Sequence, residues 1–316
     1  MKYFLGIDTS NYRTSAAVCD LDGNVVKQVR RLLPVKKGEL GLRQSEALFE
    51  HTKALPEILE ELGAFPLEAI GYSARPRDVD GSYMPCFLAG ESVARGIAAV
   101  NGVKVYDFSH QAGHVKAAAY SCRDTLQKNG KSFFDITEQG GRFITFHLSG
   151  GTTEALLYDN GTLSIVGQTL DLNAGQAVDR VGVMLGLSFP CGEELEALSV
   201  GMPTSKGLKI SVKGFDCNLA GLENRASQMY RDGASREEVA SYTLDFITKT
   251  VDKMTENILC EYGSLPVLYA GGVASCKRIA QVLTSKYDCA FAAPHFSGDN
   301  ASGTALLCRA THNKAN

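Results

Sequence analysis

FLGIDTSNYRTSAAVCDLDGNVVKQ (residues 4–28) and FITFHLSGGTTEALLYDNGTLSIVGQ (143–168) read in the same order: an apolar strand, a polar loop, a second strand, a tight turn and a third strand. Asp22-Gly23 closes the hairpin in the first copy and Asn160-Gly161 in the second. Such dipeptides accept the positive φ angles of a two-residue turn. Helical periodicity follows each copy. A repeated β-β-β-α beginning places two similar α/β halves in one chain, so the loop after each first strand takes an equivalent position in its half.

In the first half, RQSEALFEHTKALPEILEELG (43–63) has the spacing of an amphipathic helix and AIGYSA (69–74) that of a strand. PCFLAGESVARGIAAV (85–100) is expected to be helical up to Asn101-Gly102, VKVYDF (103–108) a strand, and HQAGHVKAAAYSC (110–122) a helix. In the second half, NAGQAVDRVGVMLGL (173–187) is expected to be a helix capped by Asn173, and EEVASYTLDFITKTVDKMTENILCEYG (237–263) a long amphipathic helix. PVLYAGGVA (266–274) reads as a buried strand entering a glycine turn, and NASGTALLCRATH (300–312) as a final helix. The expected fold is α/β: a duplicated actin-like ATPase fold, the class of actin, sugar kinases and Hsp70, with two domains around a ligand cleft. The domains are expected over residues 1–138 and 139–300, with a C-terminal helix at 301–316 packing back on the first.

The 316 residues carry 44% hydrophobic and 21% charged side chains, a composition that suits globular domains and excludes collagen-like or largely disordered chains. No apolar run approaches the roughly 18 residues of a spanning helix, and Asp8 interrupts the apolar start before any small-residue cleavage site, which points to a cytoplasmic chain without membrane association. Nine cysteines, an odd number without a C-x-x-C pair, fit reduced thiols better than a disulfide framework or a cysteine zinc cage. A net charge of -3 excludes nucleic-acid binding by bulk charge. Local basic clusters remain, at Arg75 and Arg77 and at Lys27, Arg30, Arg31, Lys36 and Lys37, each open to reading as an RNA-phosphate contact or as plain surface.

The two equivalent loops are the first candidates for chemistry. Asp8-Thr9-Ser10 offers hydroxyls and a carboxylate, and Ser149-Gly150-Gly151-Thr152-Thr153 offers paired glycines whose amides can approach an anion. His110 and His114, spaced i, i+4 at a helix start, present two imidazoles on one face. With His147 at a strand end and Asp299 in a turn before the last helix, they make a plausible ligand set for one divalent ion, Zn or Fe, with Mg also open. Gly271 and Gly272 follow a buried strand, where backbone can lie flat against a nucleoside or simply pack closely. Asp171, Asp179 and the acidic run Glu193 to Glu196 offer a partner for ribose hydroxyls or a solvated charge cluster.

GIDTSNYRTSAAV, HQAGH, LSGGTTEAL, TLDLNAGQAVDRVGVMLGLSFPCG, FDCNLAGLEN, AGGVASCKR and DNASGTALL, in this order over nearly the whole chain, resemble the TsaD-type tRNA threonylcarbamoyladenosine transferases, formerly called glycoproteases. The resemblance implies an actin-like fold holding a metal and ATP or a threonylcarbamoyl-adenylate. It further implies transfer of the threonylcarbamoyl group to the N6 amine of the tRNA adenosine beside the anticodon, with small partner proteins and pairing with a second copy or a related actin-like chain. Carried over by position, the metal pair is His110 and His114, the late aspartate Asp299, and His147 stands where relatives have a metal-reaching tyrosine. The nucleotide loop maps to Ser149 through Thr153, the ribose-side aspartate to Asp179, and a glycine of the nucleotide site to Gly192.

Departures from the family pattern are also specific. Tyr12 and Arg13 replace an acidic pair, Cys276 replaces an asparagine expected to bond the nucleotide, Glu223-Asn224 ends the FDCNLAGLEN segment, and Ala74-Arg75-Pro76-Arg77 replaces a glycine-rich stretch. They point to a divergent paralogue. Three readings follow: the family's transfer to tRNA, carbamoyl or acyl transfer to another acceptor, or a nucleotide-binding scaffold without catalysis. HQAGH lacks the glutamate with which H-E-x-x-H proteases activate water, and histidines beside phosphate loops have no part in sugar-kinase chemistry.

Overall fold

β1 (Tyr3–Ser10), β2 (Arg13–Cys19) and β3 (Val25–Leu32) form an antiparallel meander in a computed structural model that describes residues 2–10, 13–34, 42–297 and 300–315. The helix α1 (Gln44–Leu62), β4 (Leu67–Arg75), α2 (Phe87–Asn101), β5 (Lys104–Ser109), α3 (His110–Ser121) and α4 (Phe133–Gln139) follow. The second meander is β6 (Arg142–Leu148), β7 (Thr153–Asp159) and β8 (Thr162–Gln168), then α5 (Ala174–Met184), α6 (Gly192–Leu198), β9 (Ser211–Lys213), β10 (Asp216–Asn218), α7 (Ala220–Arg231) and α8 (Arg236–Tyr262). β11 (Val267–Ala270), α9 (Lys277–Thr284), β12 (Cys289–Phe291), α10 (Pro294–Ser297) and α11 (Ala301–Lys314) complete the chain.

The two sheets have one topology. Their orders are β3-β2-β1-β4-β5 and β12-β11-β6-β7-β8, each with an antiparallel meander joined through its first strand to two parallel strands. The turn chemistry acts as its sequence requires: Asn160 and Gly161 both have positive φ, and so does Gly23. Gly102 ends α2 in the left-handed conformation, satisfying the carbonyl of Ala98.

The chain divides into two compact units, Met1–Ser121 with Gly298–Asn316, and Cys122–Ser297. The division expected at 138 falls instead before α4, because that helix packs Phe133 against Phe143 of β6 and Thr137 accepts the Tyr158 hydroxyl through its carbonyl. In the first unit, β1 is buried along its length between two helical layers. Leu5 and Ile7 face a core with Leu55 and Ile58 of α1 and Ala94 of α2. On the opposite face, α11 crosses so closely that Cβ atoms on Gly71 would lie 2.8 Å from Cys308 and 2.9 Å from the Thr304 carbonyl. In the second unit α5, α7, α8 and α9 share one core with β6 and β11. Among the described residues no helix is long and apolar enough to cross a membrane. None of the nine cysteines is in a disulfide.

Candidate functional site

In the first unit the end of β1, the start of α3 and the start of α11 converge on one buried carboxylate. Asp8 accepts the Ser10 hydroxyl at 2.6 Å on Oδ2, while its Oδ1 lies 3.1 Å from His110 Nδ1 and 3.3 Å from Asn300 Nδ2. Burial alone would push the Asp8 carboxyl up. The adjacent His110 imidazole and the donors around it outweigh that effect and hold the group well below the usual carboxylate range. His114 lies one turn along α3, its ring centroid 4.3 Å from that of His110. Asn300 also donates to the His110 carbonyl at 2.9 Å, tying the start of α11 to the start of α3. It is seated against Gly113, where a Cβ would approach its Cγ to 2.7 Å.

The expected residues separate into different tasks. Asp8, Ser10, His110 and His114 come together. Thr9 faces the other layer, donating to the Cys86 carbonyl at 3.0 Å and accepting from the Gly90 amide at 3.2 Å, so its hydroxyl anchors α2. Asp299, with the departure at Tyr12 and the basic residues Lys36 and Lys37, lies outside the described residues. Asn300 joins Asp8 and His110 without being among the expected residues, although it stands next to Asp299 in the same motif; a buried asparagine opening a helix is the signal that marks it.

Two imidazoles one helical turn apart, one of them backed by a carboxylate on its Nδ1, are a donor set suited to a divalent cation. Among the described residues no group of three or more His, Cys, Asp or Glu side chains is arranged to hold a metal ion. His147 belongs to the second unit, at the end of β6, in register with Ala270 of β11 and Glu154 of β7.

The second unit's loop is closed on itself. The Ser149 amide donates to the Thr152 carbonyl at 2.8 Å, and the Thr152 amide to the Ser149 hydroxyl at 3.1 Å. The loop also grips the start of α5: Gly175 N–H donates to the Ser149 carbonyl and Ala174 N–H to the Thr153 hydroxyl at 2.7 Å. Gly175 has no room for a side chain, since a Cβ would lie 2.7 Å from Gly150 Cα. The amides of Gly150 and Gly151 donate to nothing among the described residues; nothing lies within 4 Å of where a Cβ on either would stand, while the Gly150 nitrogen itself packs against Gly175. Two adjacent free N–H groups at an exposed strand end can receive an anion.

The remaining expected positions are more structural. Gly271 has φ +101 and its missing side chain leaves room for Leu148, whose carbonyl carbon would be 2.7 Å from a Cβ; Gly272 is open. Asp179 spends one oxygen on the Cys191 amide at 2.9 Å, the other having no partner among the described residues, while Gly192 opens the short helix α6 with nothing packed over it. Cys276 is a core residue, its thiol pushed up to about 11 by burial and the nearby Glu196 carboxylate. Asp171 accepts the amides of Leu172, Leu219 and Ala220, which starts α7, and Glu196 accepts the Lys277 amide at the start of α9. Arg75 is paired with Asp78 and Asp107, Arg31 with Glu57 and Glu61, and Glu223 with Arg180. Those basic side chains are thus largely neutralised by their own surface.

The two matching sheets define an actin-like ATPase fold, and solved structures agree. The (R)-2-hydroxyglutaryl-CoA dehydratase component A of Acidaminococcus fermentans superimposes with a TM-score of 0.58 at 13% identity over 100% of both chains. A ROK hexokinase of Thermus thermophilus gives 0.52 at 16%, covering 99% of this chain and 100% of that one. At such identities the likeness concerns the fold alone. The family described as "TsaD: tRNA N6-adenosine threonylcarbamoyltransferase" matches residues 50–306, and the chain belongs to it. It is a transferase of that family, whose process is tRNA threonylcarbamoyladenosine biosynthesis.

A tRNA N6-adenosine threonylcarbamoyltransferase of Methanopyrus kandleri is 27% identical over 286 residues, 88% of this chain and 77% of the relative. A probable bifunctional tRNA threonylcarbamoyladenosine biosynthesis protein of Methanothermobacter thermautotrophicus is 26% identical over 316 residues, 96% of this chain. The chain spans 54% of the length of that bifunctional relative.

Proposed function

We propose that the protein moves a threonylcarbamoyl group from its adenylate to the N6 amine of a tRNA adenosine beside the anticodon, acting in the cytoplasm with small partner proteins of that process. The observation that carries this reading is the His110–His114 pair, with Asp8 behind His110, in a chain of this transferase family. His110 and His114 would hold a divalent ion, Zn or Fe with Mg as the further candidate. Bound there, the ion supplies Lewis-acid polarisation of a carbonyl or phosphate oxygen. The free amides of Gly150 and Gly151 would receive a phosphate of ATP or of the adenylate, and the free oxygen of Asp179 a ribose hydroxyl. No side chain is assigned as a general base, because attack on an activated mixed anhydride needs chiefly orientation of the amine.

The test is threonylcarbamoyl transfer to unmodified tRNA by the purified chain, supplied with the family's partner proteins and followed by nucleoside mass spectrometry. Activity is expected in the wild type and lost in His110→Ala and His114→Ala. A second reading, transfer to another acceptor, is favoured by Arg13 at the start of β2, a residue that keeps its charge at neutral pH where the family resemblance implies an acid. A wild type that binds metal and ATP yet leaves tRNA unmodified would select that reading. ATP binding without transfer to any acceptor would leave the nucleotide-binding scaffold role, alone or paired with a related actin-like chain.

A further inference from the structure

We propose that Lys206 and Lys209, in the segment between α6 and β9, with Lys213 at the end of β9 and Lys249 of α8, form a surface of the second unit that binds the phosphate backbone of the tRNA substrate. The inference rests on the reading that the substrate is a tRNA, and names a face of this chain that holds it.

A net charge of -3 leaves RNA binding to a local concentration of cations. The basic clusters conspicuous in the sequence are largely spent: Arg75 is paired with Asp78 and Asp107, and Arg31 with Glu57 and Glu61. The segment after α6 differs. No acidic residue occurs between Glu196 and Asp216, whereas lysines stand at 206, 209 and 213. All three are exposed, and among the described residues none of them is in an ion pair. The carboxylates on the adjoining stretch of α8 are engaged by other groups: Asp245 by Arg278, Asp252 by Lys286 and Tyr287, and Glu256 by Lys253. Asp216, opposite Lys213 in the β9–β10 hairpin, accepts the Gln168 amide at 2.9 Å.

Three hydrogen bonds lay the segment along α8. The Ser205 amide donates to Asp245 Oδ2 at 2.7 Å, Lys249 Nζ to the Leu208 carbonyl at 3.0 Å, and Asn257 Nδ2 to the Gly214 carbonyl at 2.6 Å. The rise along a helix from position 245 to position 257 is about 18 Å. Leu208, Ile210 and Val212 pack against the core of the second unit, an alternation that leaves Lys209 and Lys213 outside. Arg278 secures the entry to the segment, donating to the carbonyls of Ser199, Met202 and Pro203, each at 3.2 Å, while it holds Asp245. The lysines are thus spread along a fixed backbone. Lys249 bonds a neutral carbonyl, so its charge is not cancelled and adds a fourth cation beside Leu208.

Like charges held side by side without counter-charges repel one another. The same row becomes favourable against a chain of phosphates, because each contact releases counterions condensed on the nucleic acid. An acidic protein segment would have to place carboxylates at matching intervals, whereas a nucleic-acid backbone carries a charge at every nucleotide. Lysine meets phosphate as a point charge and reads no base edge, so this surface positions the RNA without selecting its sequence.

The test is binding of an unmodified tRNA transcript to the full chain, followed by fluorescence anisotropy from about 50 to about 200 mM salt. In the triple variant Lys206→Gln, Lys209→Gln, Lys213→Gln the slope of log K against log salt is expected to shrink by about 2–3, at about 0.7–0.9 per lost phosphate contact, and equally for tRNAs of different sequence. The matching triple lysine-to-arginine variant should keep the wild-type slope. Each single glutamine variant should remove about 1 from it, which answers the question even should the triple protein fail to fold. Unchanged affinity and slope in the glutamine variants overturn the proposal, as does an arginine variant that behaves like the glutamine one. Variants that keep tRNA binding but lose binding to poly-glutamate mark an acidic-protein surface and overturn it too. A wild type that binds no tRNA at any salt overturns the proposal together with the tRNA reading, a result distinct from failure in the variants alone.

Discussion

Gly271→Ala should destabilise the second unit far more than the same change one residue later. Gly271 has φ +101, a conformation that L residues rarely adopt, and a Cβ there would be 2.7 Å from the carbonyl carbon and 2.9 Å from the amide nitrogen of Leu148. These are backbone atoms at the end of β6, and they are fixed: the Leu148 carbonyl accepts the Val273 amide at 3.0 Å, and β11 is paired with β6 immediately before the turn. Forcing a non-glycine residue into positive φ costs roughly 1–2 kcal/mol, and overpacking against atoms that cannot yield roughly 1–3 kcal/mol more. The sum, about 2–5 kcal/mol, corresponds to a melting temperature lower by about 4–20 °C for a unit of this size. Gly272 has open space and no positive φ, so Gly272→Ala should lie within about 0.5 kcal/mol of wild type. Urea and thermal unfolding followed by circular dichroism measure both variants. A Gly271→Ala protein as stable as wild type, or a Gly272→Ala protein equally damaged, would refute the argument that the first glycine is there for packing.

Gly151→Val should fold normally, since nothing lies within 4 Å of the added carbon, yet its branched side chain should shield the neighbouring amides; calorimetry with ATP is expected to show binding weakened at least about tenfold. Asp245→Asn should lower stability by about 1.5–3 kcal/mol in urea titrations, because the half-buried Arg278 guanidinium loses a charged acceptor to which it makes bonds of 2.7 and 2.9 Å, while its bonds to the Ser199, Met202 and Pro203 carbonyls remain. The same pair fixes a pH dependence. Burial pushes the Asp245 carboxyl up, but the Arg278 bonds and the Ser205 amide outweigh it and hold the group below its ordinary value. Its stabilisation is complete above the ordinary aspartate pKa of about 3.9 and is lost as the pH falls from there through the lower folded value; unfolding free energies measured between pH 6 and the acid limit should decline less steeply in Asp245→Asn. Asp171→Ala should cost about 1–2 kcal/mol, read by chemical unfolding, as the first amides of α7 lose their acceptor.

Much of the local structure was legible before any tertiary contact was known. The strand–loop–strand–turn order, with Asp22-Gly23 and Asn160-Gly161 at matching places, determines both meanders because short-range turn chemistry and alternation act within a few residues. The i, i+4 spacing of His110 and His114 likewise determines that the two rings share a helix face, and the motif order determines the family. Which residues stand behind those rings is a different matter. Asp8 and Asn300 meet His110 only because β1, α3 and α11 end at one point, bringing together residues 102 and 190 positions apart. Nothing in the local sequence distinguishes Thr9, spent on anchoring α2, from Asp8 and Ser10 beside it; the alternation of a buried strand sends neighbouring side chains to opposite layers, and only the layers decide their partners. The same holds for the glycines. Gly150 and Gly271 both read as residues that let backbone approach a ligand, but tertiary packing has already used the space at Gly271 for Leu148 and left that over Gly150 open, because the absence of a side chain is encoded locally while what fills its place is not.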